Sequence, residues 1–307
     1  MAKVIKFGVC GIGRIGSTHC RFFTQDAERY KLVAVCDQEP DRVAEAATSF
    51  GCRGYTDIGA FLSDPDLELA IIATRSLDHA RHAEQALRAG KIVMVEKPIG
   101  VTADDYRLLR KLDQEHPGRL YFGHNHRFEP AFANARAIIA AGLLGNVNVV
   151  KLCKHHAFMR RRDWQMRLDC GAGQLSVWGP HLIDQGLQLI GAPVRSVSSY
   201  LRRILTPGDA DDHVKIVIIG ENDIVSEIEI SNSVALESPY CTIYGDRGAL
   251  VYGQEQREIR LRYLDPQFRW PDAVATDATP PPGFVMAADP ELPGIEETRP
   301  VTPDTNM

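Results

Sequence analysis

Gly11, Gly13 and Gly16 stand in the segment GVCGIGRIG, where a short apolar run gives way to a helical pattern. A strand that turns into a helix through closely spaced glycines has few folds open to it, because the next strand then returns parallel to the first. The sequence from residue 3 to about 122 repeats that step. The β-rich runs VIKFGVC, KLVAVCD, LELAIIAT, KIVMVEK and RLYFGH alternate with helical stretches near residues 14–25, 40–50, 76–89 and 102–115. Gly90 follows the third helix as a C-cap, and Thr102 with Asp104 and Asp105 gives the fourth an acidic first turn. This alternation predicts an α/β fold class, with a doubly wound parallel sheet over residues 1–122.

From about residue 123 the pattern changes. A helix near 129–141, a strand near 146–155, the arginine-rich stretch RRRDWQMR and a helix near 174–190 precede six successive strand patterns, from VRSVSSYLRRIL to REIRLRYL. Strands without helices between them imply a large, mostly antiparallel sheet, so 123–264 reads as an α+β domain for substrate binding and oligomerisation. Residues 265–307 hold nine of the 18 prolines and eight acids against two arginines. That composition cannot form a core of its own and reads as an extended arm or a disordered end.

Composition narrows the functional classes. With 44% apolar and 24% charged residues and a net charge of −5, the chain is an ordinary globular protein, not a coiled coil, a collagen or a disordered chain. The weakly acidic balance gives no general electrostatic reason to bind a nucleic acid, which needs a basic face or tail to release counterions. No stretch approaches the roughly 18 uncharged apolar residues of a membrane span, and the first residues reach glycines and an arginine before any signal-type apolar block. The seven cysteines are odd in number and nowhere spaced CxxC, so reduced thiols and a cytoplasmic location are expected.

The glycine segment carries a specific chemistry. The first glycine permits the tight turn, the second lets a diphosphate approach the backbone, and the third lets helix and strand pack closely. The phosphate would rest on the helix N-terminus, where free N–H groups and the dipole favour an anion. Asp37 ends the second strand 21 residues after Gly16, placed to accept hydrogen bonds from a ribose 2′-hydroxyl and to repel a 2′-phosphate. Gly11, Ile12, Gly13, Arg14, Ile15, Gly16 and Asp37 therefore form a candidate dinucleotide site that favours NAD, while the nearby Arg42 leaves NADP open. The competing reading is a glycine-rich turn with Asp37 as a cap of the next helix.

The strand KIVMVEKPIG is apolar until Glu96, Lys97 and Pro98 at its carboxyl end, the edge where doubly wound sheets bind ligands. A partly desolvated lysine there can hold a substrate hydroxyl. A solvated strand-end lysine accounts equally well for the position alone.

GVCGIGRIG, then EKP, then a helix bearing GPHLID resemble the Gfo/Idh/MocA oxidoreductases, relatives of glucose-fructose oxidoreductase and inositol dehydrogenase. The resemblance spans nearly the whole chain, a Rossmann domain followed by an antiparallel sheet domain. It implies NAD(P)-dependent hydride transfer to or from a CH–OH carbon of a sugar, polyol or sugar acid. It implies that Lys97 and His181 are catalytic, that Glu96 and Lys97 lie at the cofactor, and that the Lys97–Pro98 bond is cis. A homodimer or homotetramer through the open face of the second sheet is implied as well. In such relatives an acid stands four residues before the histidine, and here that position is Val177. Either His181 works with Lys97 alone, or Asp184, three residues on, orients it, and Pro180 is placed to kink the helix. The competing reading of His181 is a core histidine satisfied locally.

In RLYFGHNHRFEP, strand alternation would send His124 and His126 to one side and Asn125 and Arg127 to the other. The resemblance places Asn125 and Arg127 near nicotinamide and substrate. Trp164 and the arginines at 160–162 suit a sugar carrying a carboxylate or phosphate, although a solvated loop or a subunit contact fits as well. His79 with His82, and Cys153 with His155 and His156, lack a paired half-site, so no metal is expected. Two rivals to a dehydrogenase share these motifs: redox-neutral glycoside cleavage with transient use of NAD, and a non-catalytic NAD-binding sensor.

Overall fold

The computed structural model describes residues 3–272, 274, 277–279, 282 and 292–303. The first half of the chain runs β1 (Ile5–Cys10), α1 (Arg14–Thr24), β2 (Tyr30–Cys36), α2 (Pro40–Phe50), β3 (Arg53–Tyr55), α3 (Ile58–Leu62), β4 (Leu69–Ile72), α4 (His79–Arg88), β5 (Ile92–Val95), α5 (Ala103–Glu115) and β6 (Leu120–Phe122). There follow α6 (Pro130–Ala140), β7 (Val147–His155), α7 (Gln174–Val177) and α8 (Gly179–Ile190). Last come β8 (Val194–Arg202), β9 (His213–Gly220), β10 (Val225–Ser231), β11 (Cys241–Gly245), β12 (Gly248–Tyr252), β13 (Glu258–Leu264) and β14 (Gly294–Pro300). The chain divides into two compact units, one of Met1–His124, Arg160–Pro180 and Arg203–Asp212, the other of Asn125–Met159, His181–Arg202 and His213–Met307.

The first unit carries a parallel sheet in the order β3-β2-β1-β4-β5-β6. Its central strands are buried on both faces. Val9, Leu32, Val35 and Ile71 pack on one side, and Cys10, Ala34, Ala70, Ile72, Val93 and Val95 on the other, with the two-residue period kept in β4 and β5 and interrupted in β2, where the β1–β2 register shifts. Each such aliphatic side chain, withdrawn from water, stabilises the fold by about 2 kcal/mol. The sequence pattern marks neither β3 nor α3, since three and five residues are too short to show a period. The strand order reverses between β1 and β4, and a crevice opens at the carboxyl ends of the strands there.

The first unit is not continuous in sequence. Arg160–Pro180 and Arg203–Asp212 belong to it, whereas the sequence pattern assigns all of 123–264 to a second domain. Buried Asp212 accepts hydrogen bonds from the backbone N–H groups of Ile204, Leu205 and Thr206 at 2.6, 2.7 and 2.5 Å. Its neighbour Asp211 ties the two returning segments together. The Asp211 carboxylate accepts from Leu175 N at 2.8 Å and its carbonyl accepts from Gln174 N at 2.9 Å.

The second unit carries an eight-stranded sheet in the order β14-β13-β12-β11-β7-β10-β9-β8, in which β7 and β10 run parallel and every other pair antiparallel. Val150, Leu152, Ile216, Ile218, Ile228, Ile230, Ile243, Leu250 and Leu261 alternate along their strands onto one buried face. Gly186 lets α8 approach β10, because a Cβ there would lie 2.6 Å from Ser226 Oγ. Where an arm or disordered end is expected, residues 294–300 instead form β14 along β13. An edge strand tolerates the proline and charges that composition counts against order, and Arg262 meets Glu296 across the pair at 3.3 Å. Residues 273, 275–276, 280–281, 283–291 and 304–307 of that arm lie outside the described residues. Among the described residues no helix is long and apolar enough to cross a membrane.

Candidate active site

The turn after β1 shows what its glycines are for. A Cβ on Gly11, whose φ is +94°, would stand 2.5 Å from Ala73 O, and one on Gly16 would stand 1.9 Å from Gly11 O. These two are demanded by the protein's own packing. Gly13 is different, since a Cβ there would meet nothing within 4 Å. It lines a cleft of about 1030 Å³, so its bareness serves whatever enters the cleft. Gly13 is also the N-cap of α1, with no side-chain cap and no acid in the first turn, so the first N–H groups and the positive end of the helix remain available to a diphosphate. At the end of β2 the Asp37 carboxylate accepts from Ile12 N at 2.8 Å, Glu39 N at 3.1 Å and Arg42 Nη1 at 3.0 and 3.1 Å. Arg42 is thereby drawn onto Asp37. Both residues line the cleft, and these groups fit a dinucleotide.

Lys97 follows β5, and its bond to Pro98 is cis. Its ammonium donates to Val177 O at 2.8 Å, so the main chain of the residue that replaces an acid supplies the partner. Burial lowers the Lys97 pKa, the Glu96 carboxylate opposes this, and the Arg14 and Arg161 guanidiniums lower it further. Burial would raise Glu96, but the hydrogen bond and charge of His19 and the charge of Lys97 outweigh it and hold the carboxyl below its ordinary range. The His19 Nε2 to Glu96 Oε1 distance is 2.7 Å. Beneath the cleft, His79 places Nδ1 2.7 Å from Pro98 O and Nε2 3.0 Å from Thr74 O, joining the turns that follow β4 and β5. Burial lowers its pKa.

The returning segment 160–180 contributes Arg161, Asp163, Trp164, Gln165, Ser176 and Val177 to the same cleft. Arg161 is engaged by Asp163 and Gln165, and Arg160 donates to Leu205 O at 3.1 Å. The Arg75 guanidinium carbon lies 5.9 Å from the centre of the Trp164 ring.

In the second unit, His181 is 4% exposed on α8. The single helix expected over 174–190 is two, α7 and α8, with the interruption at Trp178. The physical reason is Pro180, which has no N–H to carry a continuous helix through from α7 but is tolerated in the first turn of α8. Asp184, three residues on from His181, is engaged by a cation. Its carboxylate is forked onto Arg127, with Nε to Oδ2 at 3.0 Å and a second contact from Nη2 to Oδ1. The ring packed on His181 is that of His126, 3.9 Å between centroids and inclined by 37°. The strand alternation expected at 124–127 also fails, because β6 ends at Phe122 and Asn125–Phe128 form a 3-10 turn.

Of the residues expected at the site, Gly11, Gly13, Arg14, Ile15, Asp37, Glu96, Lys97 and Trp164 line the cleft of the first unit, and Ile12 and Gly16 build its wall. Asn125, Arg127, His181 and Asp184 lie in the second unit. Sequence reading missed Arg75, the partnership of His19 with Glu96, the bridging role of His79 and the contact of His126 with His181. Only His126 and Glu129, three residues apart, carried a local signal. Among the described residues no group of three or more His, Cys, Asp or Glu side chains is arranged to hold a metal ion.

Residues 5–124 match the family model of the Gfo/Idh/MocA oxidoreductases with an NAD-binding Rossmann fold, and residues 132–251 match a C-terminal domain model of the same family. Inositol 2-dehydrogenase of Rhizobium meliloti strain 1021 is 29% identical over 262 residues, which are 84% of this chain and 78% of that protein. A solved NAD-binding protein from Listeria innocua shares the fold with a TM-score of 0.81 at 24% identity, over 99% of this chain and 83% of its own. Levoglucosan dehydrogenase, solved in complex with NADH, gives 0.78 at 23% identity over 86% and 77%. With a glycine turn, strand-end acid and helix N-terminus that fit a dinucleotide, and both domain models matched in order, the chain belongs to the Gfo/Idh/MocA family of NAD-dependent oxidoreductases.

Proposed function

We propose that the protein is a cytosolic dehydrogenase that oxidises a CH–OH carbon of a polyol, sugar or sugar acid with NAD. The observation that carries this reading is Lys97, buried at the strand edge of a dinucleotide cleft, with its ammonium on a main-chain carbonyl and its pKa lowered by burial. The likeness to inositol 2-dehydrogenase over most of the chain supports a cyclic polyol or sugar as substrate.

When bound, NAD⁺ supplies the hydride acceptor. Lys97 donates a hydrogen bond to the reacting oxygen and stabilises the negative charge that develops on it. His181 accepts the hydroxyl proton. These roles rest on the family resemblance. Trp164 and the Arg75 beside it offer an apolar face and a cation to a sugar ring with an anionic group, and Asn125, with Arg127 fixed by Asp184, contributes to substrate binding. Asp37 selects NAD over NADP, because a 2′-phosphate would meet its carboxylate. The protein assembles as a homodimer or homotetramer through the open face of the second sheet, where Lys151, Tyr244, Arg260 and Glu296 line a concavity of about 830 Å³.

The test is NADH or NADPH formation across a panel of inositols, alditols, aldoses and sugar acids, alongside Lys97→Ala and His181→Ala. We expect turnover with NAD⁺ on at least one cyclic polyol or sugar, and a loss of about 10²-fold or more in each variant. Tight NADH binding with no substrate that forms NADH would sink the dehydrogenase reading and turn the search to redox-neutral glycoside cleavage.

A further inference from the structure

His181 sits in a specific electrostatic environment within its own unit. Its ring lies against that of His126 with centroids 3.9 Å apart, too close for both to carry a proton comfortably. His126 Nδ1 is in turn 2.7 Å from Glu129 Oε1. The carboxylate is held in place, since its Oε2 accepts from Gln185 Nε2 at 3.3 Å and from Gln256 Nε2 at 3.2 Å. Gln185 is in turn fixed by Tyr240, whose hydroxyl donates to Gln185 Oε1 at 2.9 Å, and by His126 O at 2.9 Å. Other charged groups of this unit include the mutually forked Arg127 and Asp184, the latter one turn along α8, and Lys154 on β7, which feels the charges of Glu237 and Glu129. Tyr240 and Tyr252 face Glu129 and stay neutral, because burial raises their pKa values.

We infer that Glu129 and His126 are positioning residues that draw the shared proton onto His126 and leave His181 unprotonated, in the form that accepts a substrate proton. A carboxylate on one member of a stacked imidazole pair decides which ring is protonated first, and the charge then repels a second proton from its neighbour. This arrangement supplies from the turn before α6 what no acid at position 177 supplies from α7. The inference rests on the reading of His181 as proton acceptor.

The experiment is an NMR titration of the imidazole Cε1–H resonances of the full-length protein, without substrate, in the wild type, Glu129→Gln and His126→Asn, with His181→Ala used for assignment. The expected result is that both substitutions raise the His181 midpoint, by roughly one pH unit or a tenfold change in proton affinity, and that Glu129→Gln lowers the His126 midpoint. The acid limb of kcat/KM, measured on the best substrate of the panel, should move to higher pH in step. A His181 midpoint unchanged in both variants overturns the inference, and if one variant does not fold the other decides. Full activity in His181→Ala would instead overturn the proton-acceptor reading while leaving the titration result standing.

Discussion

At the residue scale, Lys97 shows how position converts an ordinary side chain into a reactive one. Burial, Arg14 and Arg161 disfavour its ammonium and outweigh the support of the Glu96 charge, so the group gives up its proton below the ordinary lysine value of 10.5. If the charged form is what stabilises the reacting oxygen, activity falls on the alkaline side as that proton leaves. Arg161→Gln removes a repelling cation, raises the Lys97 pKa and should move the alkaline limb of kcat to higher pH, by roughly half a unit. Glu96→Gln removes the supporting carboxylate and should move it the other way. A pH profile unmoved by both would show that the charge on Lys97 does not limit turnover. Asp37 was legible in the sequence because it closes the second strand at a fixed distance from the glycine motif, and Lys97 because it stands in the EKP segment that carries the family resemblance. Arg75 and His19 were not, because their significance lies in contacts with Trp164 and Glu96, residues 89 and 77 positions away, that no local spacing encodes.

At the element scale, most of the sheet strands could be read from apolar runs, whereas the short pieces that finish the cleft could not. The four residues of α7 are an example. Their helical pattern merged with that of α8, and the separation comes from Pro180 and from Asp211, an acid 34 residues beyond Val177. Asp211 serves as an external cap. Its carboxylate takes Leu175 N at 2.8 Å, and it abuts Gly173, where a Cβ would lie 2.2 Å from Asp211 Oδ1. A cap from a distant segment fixes the helix whose last carbonyl receives Lys97. Asp211→Ala should therefore cost about 1–2 kcal/mol of stability and slow turnover through a misplaced Val177 carbonyl, with little effect on NADH affinity. Thermal melting alongside steady-state kinetics measures both. Loss of stability without loss of kcat would confine Asp211 to folding and free Lys97 from dependence on α7.

At the scale of the whole molecule, composition leaves the C-terminal stretch undecided between an arm and a disordered end because it averages over residues whose roles differ. A tail with nine prolines and a charge of −6 has too little apolar surface to build a core, yet a strand added to an existing sheet needs only a ladder partner and one compatible face. β14 finds that partner along all seven residues of β13, and beyond it Asn134 on α6 accepts from Thr302 N at 3.2 Å and donates to Thr302 O at 3.0 Å. Upstream, Arg247 holds the chain after β13 by donating to Asp265 O and Phe268 O, each at 3.0 Å. The tail is thus anchored at both of these points within the second unit, and among its described residues none lines the cleft of the first. Deleting residues 292–307 leaves β13 as a bare edge and Asn134 without Thr302, and should destabilise the second unit by about 2–4 kcal/mol, several net ladder bonds less the entropy regained. In calorimetry that corresponds to a Tm lower by roughly 5–10 °C. NADH affinity by fluorescence titration should stay within about twofold of the full chain, since the glycine turn, Asp37 and the α1 N-terminus are untouched. An unchanged Tm would mean that β14 rests on the sheet without contributing to its cooperative unfolding, and a large loss of NADH affinity would mean that the cofactor cleft depends on a segment whose described residues supply none of its lining.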